Sequence, residues 1–255
     1  MMKYTIRYVS LLAGMLTVFS SCEHKDLCFD HDAHAPKSDV HIKAVYEKEW
    51  EHTCEGGPDW EQYPAWESRF GMDYHELCPD APDGLRIQVY NEDGTNNVLN
   101  VAPEGDIVRM RPGEHSLLLY NNDTEYIVFD DMNSFASAKA TTRTRTRASY
   151  GGNPYMENTV ENTVNAPDML YGNYMENYTA ERKTETDELP VTMHPLVFTY
   201  LVRYEFSHGL EYVALARGAL AGMAGAVWLN SGRTSEEAVT ILYDCSVEDF
   251  GAQAS

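Results

Sequence analysis

The chain has 255 residues, 43% of them hydrophobic, which excludes a wholly disordered polypeptide and leaves room for one large domain or two modest ones. Its 40 acidic residues outnumber 19 basic ones, for a formal net charge of −21. Nucleic-acid binding is excluded on that ground, because displacing counterions from phosphates needs clustered Lys and Arg.

The N-terminal stretch has the pattern of an export signal. Lys3 and Arg7 provide a positive start, and Val9 to Phe19 is an apolar run too short to cross a bilayer. The run ends in Phe19-Ser20-Ser21-Cys22, where small residues precede a cysteine, a pattern that resembles a lipobox. Residues 1–21 are therefore expected to be a lipoprotein signal peptide, with Cys22 lipidated after cleavage. Several acyl chains on one residue hold a protein stably where a single chain is marginal. Residues 22–38 are polar, contain Pro36 and read as a tether. His31-Asp32-Ala33-His34 offers metal-ligand types, but a tether has no outer shell to orient the imidazoles, so no metal site is assigned.

From residue 39 the hydrophobic pattern has period two. Val40, Ile42, Ala44 and Tyr46 share one face of a strand, and Leu85, Ile87 and Val89 share another. Asn91-Glu92-Asp93-Gly94 is a hairpin-type turn rather than a calcium loop, since the carboxylate spacing and closing Glu of the latter are missing. Short strands are expected near 97–101, 106–111, 115–120 and 126–129, separated by Gly, Pro and Asn turns. That spacing spells a β-sandwich over residues 39–148. Inside it, residues 51–83 are an irregular stretch broken by Pro and Gly, with room only for a short helix.

Two readings attach to that stretch. Cys54 and Cys78 bracket it and are the best disulfide candidate in an exported protein, while Cys28 and Cys245 are left over. Trp60, Tyr63 and Trp66, with Trp50 and Tyr74 nearby, either cap the sandwich core or present ring faces to a glycan.

Arg143, Arg145 and Arg147 alternate with threonines in a basic island. The island reads as an edge strand closing the first domain or as an exposed site for a trypsin-like protease. Residues 149–187 are rich in Tyr, Asn and Glu and read as an interdomain connection. Leu196, Phe198, Tyr200, Val202, Tyr204 and Phe206 then alternate as a strong strand opening a second β-sandwich domain at 188–255, with further strands at about 211–218, 226–229 and 239–243. No nucleophile elbow, phosphate-cradling loop or zinc motif occurs, and Gly218, Gly222 and Gly225 suit close packing or a bulge. No catalytic residue and no cofactor are assigned.

Taken in order, the Cys22 lipobox, a first β-domain, Pro167-Asp168-Met169-Leu170-Tyr171, His194-Pro195-Leu196 and Gly218-Ala219-Leu220-Ala221-Gly222-Met223 resemble the fimbrillin-like lipoproteins of Bacteroidales, in particular relatives of fimbrial anchoring subunits. Lys25-Asp26 after the cysteine is similar to the short export signal of such lipoproteins. The resemblance implies two transthyretin-like or Ig-like β-sandwich domains, a lipid anchor in the outer membrane at the cell surface, and a non-enzymatic part in a fimbrium or as an adhesin. Implied partners are fimbrial subunits joined by β-strand pairing, with carbohydrate as the alternative. The second domain shows fewer strands than a sandwich needs, so either the reading frame is truncated or another subunit supplies a strand.

Overall fold

Alternating apolar residues punctuated by turn residues dictate strands, and strands account for nearly all the regular structure among the described residues. The computed structural model describes residues 38–48, 66–146 apart from 72 and 78, and 162–245 apart from 203, 205 and 214. The readings at Cys22, Cys54 with Cys78, Trp60, Tyr63 and Arg147 lie outside the described residues. The all-β class holds, and the only helical pieces among the described residues are one turn at Trp66–Phe70 and two 3₁₀ turns.

The strands are β1 (Asp39–Tyr46), β2 (Leu85–Asn91), β3 (Asn96–Val101), β4 (Ile107–Arg109), β5 (Gly113–Asn121), β6 (Ile127–Asp130), β7 (Lys139–Thr142), β8 (Thr163–Asn165), β9 (Tyr171–Ala180), β10 (Asp187–Pro195), β11 (Ala216–Ala224), β12 (Ala226–Trp228) and β13 (Ala238–Cys245). They form a seven-stranded sheet in the order β3-β2-β5-β9-β10-β1-β4 and two three-stranded sheets, β12-β7-β6 and β11-β13-β8.

The large sheet turns a corner between β9 and β10, which pair only through His194 with Gly172 and Pro195 with Tyr171. The two halves therefore face each other as a sandwich. Val40 and Ile42 of β1, Val108 of β4, and Val191 and Met193 of β10 pack against Leu85, Ile87 and Val89 of β2 and Leu117 and Leu119 of β5. The opposite face of β2 and β5 is also covered. Tyr90, Leu118 and Tyr120 meet Ile127, Ala140 and Val227 from the small sheet of β6, β7 and β12. The β2–β5 pair is thus buried on both faces, and one of its two buried amides, Gln88, donates to the Met132 carbonyl at 2.6 Å.

β1 runs parallel to β10 over Val40 to Tyr46, an exception in a largely antiparallel fold. On its other flank the backbone of residues 104–106 approaches closely, with Ile42 N–H donating to the Asp106 carbonyl at 3.0 Å. Gly105 permits this. Its φ is 102°, and a Cβ there would lie 1.9 Å from the Ile42 carbonyl oxygen.

Two sequence expectations require revision. Residues 196–206 were expected to form the first strand of a second domain, but the strand lies just upstream, in β10. A backbone partner decides the matter for β10, which has β1 beside it, whereas the described residues of 196–206 fall in no strand. The boundary drawn at residue 188 also does not follow the strand pairing. Asp187–Pro195 hydrogen-bonds to β1, and Ala226–Trp228 hydrogen-bonds to β7, so both belong with strands of the 39–148 span. Likewise Tyr171–Ala180, within the span read as a connection, is a strand between β5 and β10.

Three phenols are locked as hydrogen-bond donors: Tyr46 to the Pro103 carbonyl at 3.0 Å, Tyr90 to the Met132 carbonyl at 2.8 Å and Tyr120 to the Gln88 side-chain oxygen at 3.3 Å. Burial, followed by the charges of Asp123 and Glu104, pushes the Tyr46 phenol up to about 12. Burial also raises Tyr90 and Tyr120. A raised folded-state value favours the protonated phenol. Its contribution to stability is therefore complete below the unfolded value near 10 and is lost as pH climbs through the folded one. Equilibrium unfolding followed between neutral pH and alkaline pH is expected to show stability falling above about pH 10, with tyrosinate absorbance lagging behind that of free tyrosine. Leu119→Ala, at a side chain 1% exposed in the middle of β5, is expected to lower the unfolding free energy by about 2–5 kcal/mol in a denaturant titration.

Candidate functional site

Among the described residues, the irregular stretch contributes one aromatic group. Trp66 and Phe70 stand four residues apart on a single helical turn, so their rings meet at 4.4 Å between centroids. Tyr74, from the 3₁₀ turn that follows, packs edge-on against Trp66 at 5.1 Å. Trp66 is the one member of the sequence-predicted aromatic trio among the described residues, and it is half-buried with its ring engaged by two neighbours. Phe70 was missed from sequence, although its spacing from Trp66 was the available signal.

The basic island is built into the fold. Thr141 and Thr142 complete β7, which lies between β12 and β6 rather than at an edge. Beyond it, Arg143 N–H donates to the Tyr126 carbonyl at 2.9 Å while the Arg143 carbonyl accepts from Asn165 N–H at 2.9 Å. Arg145 N–H donates to the Thr163 carbonyl at 2.9 Å, and its carbonyl accepts from the Thr163 hydroxyl. The Arg145 guanidinium reaches Asp244 at 2.9 Å, and Arg217 reaches the same carboxylate at 3.1 Å. The hydrogen bond from Arg145 and the two positive charges hold the Asp244 carboxyl below its ordinary value.

The turn at 91–94 uses its own carboxylate. Asp93 accepts from Thr95 N–H at 2.9 Å and from Arg111 at 2.9 Å, and the bonds from Thr95 lead the lowering of its pKa. Gly94 takes φ 79°, as such a turn requires. Among the described residues, no group of three or more His, Cys, Asp or Glu side chains is placed to hold a metal ion.

The three short motifs singled out in the sequence lie at joints. Asp168 caps the start of β6, accepting from Tyr126 N–H at 2.5 Å and Ile127 N–H at 3.3 Å. Leu170 is fully buried, and its carbonyl accepts from Leu196 N–H at 2.7 Å, which brings the second motif against the first. Asn121 links β5 to the same segment, its side-chain oxygen accepting from Tyr171 N–H at 2.7 Å. In the third motif Gly218 lies beneath the Tyr243 ring, where a Cβ would sit 2.0 Å from the ring.

What remains is surface. Tyr200, Leu201, Val202, Tyr204, Phe206, Tyr212 and Leu215, none of them in a described strand, are exposed, between 40% and 84%. Among the described strands, β11 comes first in the sheet β11-β13-β8.

Comparison with known proteins assigns the chain to a family. The profile of DUF5119, a domain of unknown function, matches residues 61–244, and the chain belongs to this family. It is 25% identical over 175 residues to a Bacteroides ovatus protein provisionally named fimbrium anchoring subunit Fim4B, an alignment covering 68% of this chain and 50% of that one. The chain thus spans about half the length of the curated relative it matches. A crystal structure of a Bacteroides ovatus protein, provisionally described as an adhesin, superposes with a TM-score of 0.54 at 21% identity, covering 88% of this chain and 65% of that one, and shows the same fold. The resemblance to fimbrillin-like proteins of Bacteroidales is borne out.

Hydrogen bonding on both sides of the basic island yields a prediction for proteolysis. Trypsin cleavage after Arg143 and Arg145 is expected to be slower in the native chain than in the urea-unfolded chain by about tenfold or more, as followed by mass spectrometry of the released fragments.

Proposed function

We propose that this chain is a lipid-anchored cell-surface protein that serves as an anchoring or structural subunit, or as an adhesin, of a fimbrium. The observation that carries the reading is its 25% identity over 175 residues to a protein named as a fimbrium anchoring subunit. The sequence supports the anchor through Phe19-Ser20-Ser21-Cys22 and a polar tether that leads from Cys22 to β1. Acyl chains on Cys22 would hold the protein in the outer membrane while the acidic surface keeps it apart from its neighbours.

The proposed partners are fimbrial subunits, recognised by β-strand addition. A terminal strand presents unpaired N–H and C=O groups in register, and alternate side-chain positions beside it confer selectivity. The role is structural and calls for no catalytic group. Cys22 as lipidation site and a Cys54–Cys78 disulfide remain part of this proposal.

Metabolic labelling with radioactive palmitate, combined with affinity capture from membrane extracts, tests it. The expected outcome is label on the wild-type protein, loss of label in Cys22→Ala, and fimbrial subunits among the captured proteins. A Cys22→Ala chain that still carries label, or a wild-type chain that fractionates with the cytosol, would defeat the reading.

A further inference from the structure

The last rung of the β2–β5 pair is polar on both strands. Asn91 ends β2 and lies directly opposite His115 of β5. Each continues the alternation of its own strand, Asn91 after Leu85, Ile87 and Val89, and His115 before Leu117 and Leu119. Both side chains therefore stand on the face that carries the first core. On its other flank His115 is opposite Tyr178 of β9, which packs against the same core. His115 is left 4% exposed.

The hydrogen bonds that the two side chains make fix which of their atoms can donate. His115 Nε2 donates to the Arg111 carbonyl at 2.6 Å, since that oxygen can only accept. In the neutral ring Nδ1 is then an acceptor. The Asn91 amide is oriented just as firmly. Thr95 spends its one hydroxyl hydrogen on Asp93, so its oxygen accepts from Asn91 Nδ2 at 2.9 Å. The Thr95 carbonyl accepts from the same nitrogen at 3.2 Å, which leaves Asn91 Oδ1 as an acceptor. Oδ1 and Nδ1 are both shut off from solvent, and among the described residues neither has a donor.

Two acceptors cannot satisfy each other, and a buried polar atom left unmatched lowers the folding equilibrium by about fivefold or more. Whatever fits between them must donate twice. Charge and ligand number narrow the choice. A metal cation needs more ligands than one imidazole and one amide oxygen, and Asp93 in the adjoining turn is already engaged by Thr95 and Arg111. A second proton on the ring would bury a positive charge that no described carboxylate pairs with. Water is neutral and carries two hydrogens. Opposed residues in a sheet have Cβ atoms about 4.5–5.5 Å apart, a gap that two hydrogen bonds of about 2.8 Å each can bridge.

We infer that the space between Asn91 and His115 is a binding site for a single water molecule, which donates one O–H to His115 Nδ1 and the other to Asn91 Oδ1. The water ties the β2–β3 turn, through Asn91, to β5, and the imidazole passes the link on to the Arg111 carbonyl. The inference rests on neither the lipid anchor nor a fimbrial partner.

Neutron diffraction from crystals of the full chain, exchanged into heavy water, tests it by locating each hydrogen as deuterium. The expected result is one heavy-water molecule with its deuterons directed at His115 Nδ1 and Asn91 Oδ1, and a deuteron on Nε2. A deuteron on Nδ1, a cation in the space, direct contact of the two side chains or a dry site would each overturn the inference. Denaturant unfolding of Asn91→Leu, His115→Leu and the double variant provides a check in solution. Removing either acceptor strands the other, whereas removing both strands neither. The double variant is therefore expected to have a folding equilibrium constant at least about fivefold higher than the product of the two single effects predicts. Single effects that multiply to within about twofold would count against the shared water. Should a variant fail to fold, the diffraction result on the wild type decides alone.

Discussion

The pairing of β2 with β5, seven residues in register from Leu85 with Asn121 to Asn91 with His115, sets the terms for the rest of the fold. Both strands have apolar or hydrogen-bonded side chains on both faces, so this pair must be covered twice. One cover comes from β1, β4 and β10 and the other from β6, β7 and β12. Covering strands drawn from such distant parts of the chain explain why sequence order and spatial order diverge so widely. They also explain why buried polar groups in the centre are matched individually, Gln88 with the Met132 carbonyl and Asn121 with Tyr171 N–H.

Much of the first sheet could be read from the sequence. Leu85, Ile87 and Val89, like Leu117 and Leu119, alternate cleanly because one face of each strand meets a single core. The remainder was obscured for two physical reasons. β10 (DELPVTMHP) carries two prolines and little β-branched character, yet it is a strand because β1 satisfies it along its length. β9 (YGNYMENYTA) reads as a polar linker because much of its length faces solvent, and its pairing shifts register against β5 between His115 and Leu117. Propensity is overruled in both cases by the partner. Conversely, the described residues of 196–206, the best-patterned stretch of the second half, lie outside the strands, because alternation records a face to be buried and not which neighbour buries it.

The functional signals divide in the same way. The five-residue motif Pro167–Tyr171 was legible only as a resemblance, but its place in the fold is physical. Asp168 caps β6 and Leu170 fills the second core beside the corner where β9 meets β10. The basic island showed threonine-rich strand character from sequence, whereas the tie of Arg145 and Arg217 to Asp244 joins residues far apart in the chain, which no local pattern encodes. Both belong to how the sheets are joined.

The parallel alignment of β1 with β10 has a mechanical corollary. β1 is the first described strand after the N-terminal span, and it lies between β10 on one flank and the 104–109 backbone on the other. Lys43 and His41 grip Glu188 across this join, and His194 grips Glu47 at its far end. Tension applied along β1 meets seven aligned residue pairs in shear, so they share the load and yield together, whereas a hairpin pulled from its open end gives way one rung at a time.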